Sequence, residues 1–97
     1  MKIIFTEFAA KELLQAISFY EVEVRGLGEK FSNEIKNALT RISNFPTAWP
    51  ILKNEIRKCV VRKFPYYLLY SIEQNFVLIL AVAHHHRKPF YWLDESK

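Results

Sequence analysis

The chain has 97 residues, 51% of them hydrophobic and 25% charged, a composition that fits one globular domain over residues 1–97 and excludes a disordered segment or a second core. Its net charge is +4, and Cys59 is its single cysteine, so an intramolecular disulfide is excluded and a reducing cytoplasm is the expected compartment. No stretch approaches the ~18 apolar residues of a membrane span, and the opening residues, broken by Thr6 and Glu7, do not read as a secretory leader.

Residues 2–5, short, β-branched and aromatic, predict a strand ending at Thr6. Thr6 suits the N-cap of a following helix, and Glu7 suits its positive first turn. Ala9, Leu13, Ala16, Ile17, Tyr20 and Val24 then recur at helical spacing as one apolar stripe. Gly26 and Gly28, the two glycines of the protein, close that helix and turn the chain. The stripe resumes with Phe31, Ile35, Ala38, Leu39 and Ile42, and Asn44-Phe45-Pro46 ends it. The result is an αα-hairpin whose two stripes face a common core.

Beyond the loop at Trp49-Pro50 the period changes. Residues 55–61 mix cations with Ile56, Cys59, Val60 and Val61. Residues 66–72 are aromatic and aliphatic, and 76–83 are almost wholly apolar, with a hairpin turn at Glu73-Gln74-Asn75. A strand so apolar belongs in the middle of its sheet. The expected class is α+β: an N-terminal strand, a helical hairpin, then a three-strand antiparallel meander, β-α-α-β-β-β.

The charge is unevenly placed. Residues 1–50 carry six Lys/Arg against six Asp/Glu, whereas residues 51–97 carry eight against four. Two readings stay open: a surface facing a polyanion or acidic partner, or a solvated sheet face whose lysines guard an edge. The carboxylates Glu7, Glu12, Glu21, Glu23, Glu29 and Glu34 fall off the helical stripes and read as solvated. Cys59, between Lys58 and Val60, reads as a packed small residue.

The segment from His84 to Trp92 combines imidazoles, a guanidinium and aromatic rings. His84 and His86 share a face of a strand, but no third ligand accompanies them, so no metal is expected. The bland reading makes His84 a strand-end cap and leaves His85 and His86 exposed. The sharper reading is RNA cleavage, which needs a base, an acid and cations around the phosphorane. His84, Arg87 and Tyr91 are its catalytic candidates. Arg57, Arg62 and Lys63 would bind phosphate or another target together with His86, and Tyr67, Tyr91 and Trp92 would stack on bases.

The whole chain resembles the toxins of the RelE/ParE superfamily. The features that carry the resemblance are the opening strand, the helix from Ala9 to Phe19-Tyr20-Glu21, the glycine turn before Phe31, and Ile42 to Pro46. They continue with Ile56-Arg57, Phe64-Pro65-Tyr66, Leu69-Tyr70, and Val82-Ala83-His84 followed by Arg87, Pro89 and Tyr91-Trp92. The resemblance implies a helical hairpin packed on a curved antiparallel sheet, and a toxin silenced by a cognate antitoxin that wraps it, without a cofactor. Such a pair would be a plasmid-stabilisation type module of the bacterial cytoplasm, with no membrane partner, and leaves open a homodimer or a toxin–antitoxin hetero-oligomer.

Two branches are implied. Messenger-RNA cleaving, ribosome-dependent members carry sheet cations and an aromatic or histidine near the carboxyl end, but Tyr67 stands where they tend to carry an arginine. Phe64-Pro65-Tyr66 and His84-x-x-Arg87 look more like the ParE side, whose characterised members inhibit DNA gyrase. That side often ends with an arginine beyond the tryptophan, where this chain has Asp94-Glu95. The expectation is therefore a ParE-like toxin, with a RelE-type endoribonuclease and a non-toxic interaction module as its alternatives.

Overall fold

A computed structural model describes residues 1–88, 91 and 92. Pro89 and Phe90, and the Asp94-Glu95 pair weighed above, lie outside the described residues. The elements run β1 (Lys2–Phe5), α1 (Glu7–Glu23), α2 (Leu27–Asn44), β2 (Ile51–Lys53), β3 (Ile56–Val60), β4 (Tyr66–Ile72) and β5 (Phe76–His84). The α+β class and the order strand, helical hairpin, strands are as expected. The sheet has five strands in the order β1-β5-β4-β3-β2, so the meander gains β2. Its residues are exposed throughout, and three residues without a buried face carry too little periodicity to announce a strand.

β1 pairs with β5 in parallel, Lys2 opposite Phe76 through Phe5 opposite Ile79. The other strands are antiparallel neighbours. β2 and β3 are joined through Asn54 and Glu55, both at positive φ (50° and 64°), the backbone of a two-residue primed turn. Asn54 tolerates it readily; Glu55, expected within the strand, is part of this turn instead. β5 runs between β1 and β4, and the apolar run there is covered as its composition requires. A register shift makes Leu69 oppose Ala81 and Tyr70 oppose Ile79, leaving Leu80 as a bulge residue.

Both helices cover one face of the sheet. Thr6 caps α1 as expected, its Oγ1 accepting from Ala9 N at 3.0 Å. The main core joins Ala9 and Ala16 of α1, and Phe31, Ile35, Ala38 and Ile42 of α2, to Cys59, Leu68, Tyr70, Val77, Ile79 and Val82. Val24, assigned to the first stripe, is instead the exposed C-cap residue of α1. The opposite face carries a smaller cluster of Ile56, Tyr67, Leu69, Ala81, Ala83 and Trp92. Among the described residues, no helix is long and apolar enough to cross a membrane.

The hairpin between the helices is held by a carboxylate that the sequence reading had placed in solvent. Gly26, at φ 87°, is the N-cap of α2 and has no side chain to cap with. Glu21 supplies the acceptor: its carboxylate takes Gly26 N at 3.0 Å and Gly28 N at 3.1 Å. This satisfies two amides of the first turn of α2. At Gly28 a Cβ would lie 2.7 Å from the Ile17 carbonyl oxygen, so only glycine permits this approach of α1 to α2.

Candidate functional site

Strand alternation divides the cations of β3 between the two faces of the sheet. Ile56 and Lys58 point to the open face, Arg57 and Cys59 to the helical one. Arg57 thereby reaches the loop after α2, its Nη1 donating to Trp49 O at 2.6 Å and Thr47 O at 3.2 Å. Nearby, Tyr70 Oη donates to Pro46 O at 2.6 Å. Arg57, expected as a target contact, is thus engaged in anchoring this loop.

Lys63 sits at φ 70° and pairs with Glu34 at 3.5 Å, which turns it toward α2. Glu34 is therefore no simple solvated carboxylate. Arg62 is exposed in the same connection. Arg57 and Lys63 are thus turned toward the helical side, and Arg62 lines neither of the two cavities described below.

Lys58 is a cation outside the site candidates named from the sequence. Its ammonium lies 4.5 Å from the centroid of the Tyr67 ring, and His85 stacks on the same ring at 5.8 Å and 21°. Lys58, Tyr67 and His85 line a cavity of about 370 Å³ on the open face with Leu52, Val60, Arg87 and Trp92. The signal for Lys58 was available: a buried Cys59 implies that Lys58 faces the other way. Trp92 is 1% exposed, so its ring belongs to the packing of that face and is not free to stack on a base. Tyr67 is itself largely buried, and burial raises its hydroxyl pKa.

The second cavity, about 250 Å³, opens at the flank of α1 where β5 outruns β1. Glu12, Gln15 and Phe19 form one wall; Tyr66, Val82, His84 and Arg87 form the other. Arg87 lines both cavities. Phe19 and Val22, three residues apart, lie exposed along α1 at 56% and 83%, so the groove continues into an apolar ridge.

His84 ends β5, half-buried, its ring edge-on to Tyr66 at 5.1 Å. Its Nδ1 accepts from the backbone N–H of His86 at 3.0 Å. Burial, then the neighbouring His86 and His85, lower its pKa, so His84 is neutral at pH 7. His85 and His86 are exposed. Among the described residues no group of three His, Cys, Asp or Glu could hold a metal ion.

Glu12 is a third carboxylate, after Glu21 and Glu34, that proves not to be simply solvated. Its Oε1 accepts from Val82 N at 2.8 Å and its Oε2 from Tyr91 Oη at 2.5 Å. Tyr91 is held in the neutral form by burial and by this carboxylate, which together push its pKa far up. Arg87 lies over the Tyr91 ring, Cζ 3.9 Å from the centroid. The three catalytic candidates are therefore neighbours, but Tyr91 is fixed as a hydrogen-bond donor to Glu12, which leaves its proton unavailable to a reacting phosphate without loss of that bond.

The family model described as ParE toxin of type II toxin-antitoxin system, parDE, matches residues 3–89. Among solved structures, one titled chromosomal ParDE TA system from P. aeruginosa is similar in fold, with a TM-score of 0.75 at 17% identity, covering 87% of this chain and 95% of that one. No curated protein matches the sequence.

Proposed function

The chain belongs to the ParE toxin family of type II toxin–antitoxin systems, and from that membership we propose that it arrests bacterial growth through DNA gyrase and is silenced by a cognate antitoxin in the cytoplasm. The observation that carries the reading is the position of Arg87, an exposed guanidinium where the open sheet face meets the α1–β5 groove. A cation so placed, with Lys58 beside it, suits a nucleic-acid enzyme or its bound DNA.

The groove supports the partner half of the proposal. An amphipathic antitoxin segment would lay apolar side chains on Phe19 and Val22 and bring a carboxylate to Arg87. The charges would govern association rate and register more than raw affinity, and association would weaken with salt.

Two experiments test the proposal. Induction of the chain in a bacterial host should stop growth, and co-expression of the antitoxin encoded beside it should restore it. Purified protein should also block ATP-dependent supercoiling of relaxed plasmid by gyrase. Growth unimpaired at good soluble expression would favour a non-toxic interaction module. Arrest with full supercoiling and cleaved transcripts would favour the ribosome-dependent endoribonuclease, a reading supported by His84 and Arg87 sharing one cavity.

A further inference from the structure

Arg87 is exposed, and a long side chain on a turn adopts many rotamers unless something holds it. What it rests on is the ring of Tyr91, and the Tyr91 hydroxyl is bonded to Glu12, 79 residues away on α1. Glu12 is itself pinned. Its other oxygen accepts from Val82 N, in the part of β5 beyond Ile79, where the pairing with β1 has ended. The carboxylate thus takes the place of a strand neighbour for that amide and cannot swing away without leaving the amide unpaired. The Phe8 ring, 6.3 Å from Tyr91, flanks the same assembly.

We propose that Glu12 is the positioning residue of Arg87: it fixes the Tyr91 hydroxyl to α1 and β5, and the Tyr91 ring then carries the guanidinium at the junction of the two cavities. The arrangement needs a side chain of this length with two polar ends, one to receive the Val82 N–H and the other to meet the Tyr91 hydroxyl. A glutamine keeps the bond to Val82 N and offers its own N–H to Tyr91 Oη, so the tether persists with reversed polarity. The functional part of the inference rests on the reading of Arg87 as a target contact.

The test uses the full chain and its Glu12→Gln, Glu12→Ala, Tyr91→Phe and Arg87→Ala variants. The ring of Tyr91 shifts the Arg87 Nε–H resonance upfield, and the tether gives it a high heteronuclear NOE. Glu12→Ala and Tyr91→Phe should lose both signatures while the amide spectra of α1 and β5 persist, and Glu12→Gln should retain them. Tyr91→Phe keeps the ring and deletes the hydroxyl, so it carries the test if Glu12→Ala does not fold. An Arg87 resonance equally shifted and ordered in Tyr91→Phe overturns the proposal.

Growth arrest on induction supplies the second readout. Tyr91→Phe should weaken it by the same factor as Arg87→Ala, with no further loss when the two are combined. Losses that multiply in the double variant also overturn the proposal. Arrest unaffected by Arg87→Ala, with the spectroscopic changes present, would sink the reading of Arg87 as a target contact and leave the positioning intact.

Discussion

Arg57 and Lys58 are consecutive in the chain and serve opposite faces of the sheet: one binds the carbonyls of Thr47 and Trp49, the other lies over the ring of Tyr67. Two cations that look equivalent in the sequence therefore have separate consequences. Arg57→Ala should cost about 2 kcal/mol of stability, the scale of hydrogen bonds from a charged donor, read as a lower urea midpoint. Lys58→Ala should change stability by less than about 1 kcal/mol and should weaken growth arrest on induction. The reverse pattern would mean that the faces have been assigned the wrong way round.

The helical hairpin makes a second prediction. Gly28→Ala would press a methyl group against the Ile17 carbonyl and should destabilise by about 1–3 kcal/mol. Glu21→Ala, which removes the acceptor from Gly26 N and Gly28 N, should cost about 1 kcal/mol. Equilibrium urea unfolding measures both, and an unchanged midpoint for Gly28→Ala would contradict the close helix approach.

How far these features were legible depends on the kind of signal. The helices showed because Ala9, Ala16, Phe31, Ile35 and Ile42 repeat at the period of a buried stripe, and β5 showed because 76–83 are apolar throughout. Glu12, Glu21 and Glu34 misled because their partners, Val82 and Tyr91, Gly26 and Gly28, and Lys63, are determined by chain reversal and strand register. Periodicity places a carboxylate off the stripe and says nothing of what crosses over to meet it. The site was legible as a segment, His84 to Trp92, but its division between two cavities was not, since that follows from which way each residue leaves the end of β5.

Tyr70 offers a test at alkaline pH. Burial is the main reason its hydroxyl is pushed up to about 12 from the ordinary tyrosine value of 10.0. The folded state holds this proton more tightly, so its contribution is complete below pH 10 and is lost as pH rises toward 12. Tyr70→Phe also leaves the Pro46 carbonyl without its donor, at a cost of about 1 kcal/mol. The stability difference between wild type and Tyr70→Phe should shrink over that alkaline window; a constant difference would show that the hydroxyl is not held as described.

His84 should titrate below the ordinary histidine value, followed by proton NMR of its ring. Because the folded form disfavours the proton, this contribution to stability is present above the ordinary value and is lost as pH falls through the lowered one. His84→Gln should flatten that acid limb of the stability curve. A His84 that titrates at or above the ordinary value would contradict its burial against Tyr66.

The parallel pairing of Lys2–Phe5 with Phe76–Ile79 has a bearing on synthesis. β1 finds its neighbour only in β5, so an emerging chain cannot seal this sheet until translation has passed Ile79. Until then the helical hairpin lacks β5, an interior strand of the surface it packs upon, and the groove beside Glu12 does not exist. Activity, and the shape that any neutralising protein must grasp, therefore arrive together, once β5 has been made, and not gradually along the way.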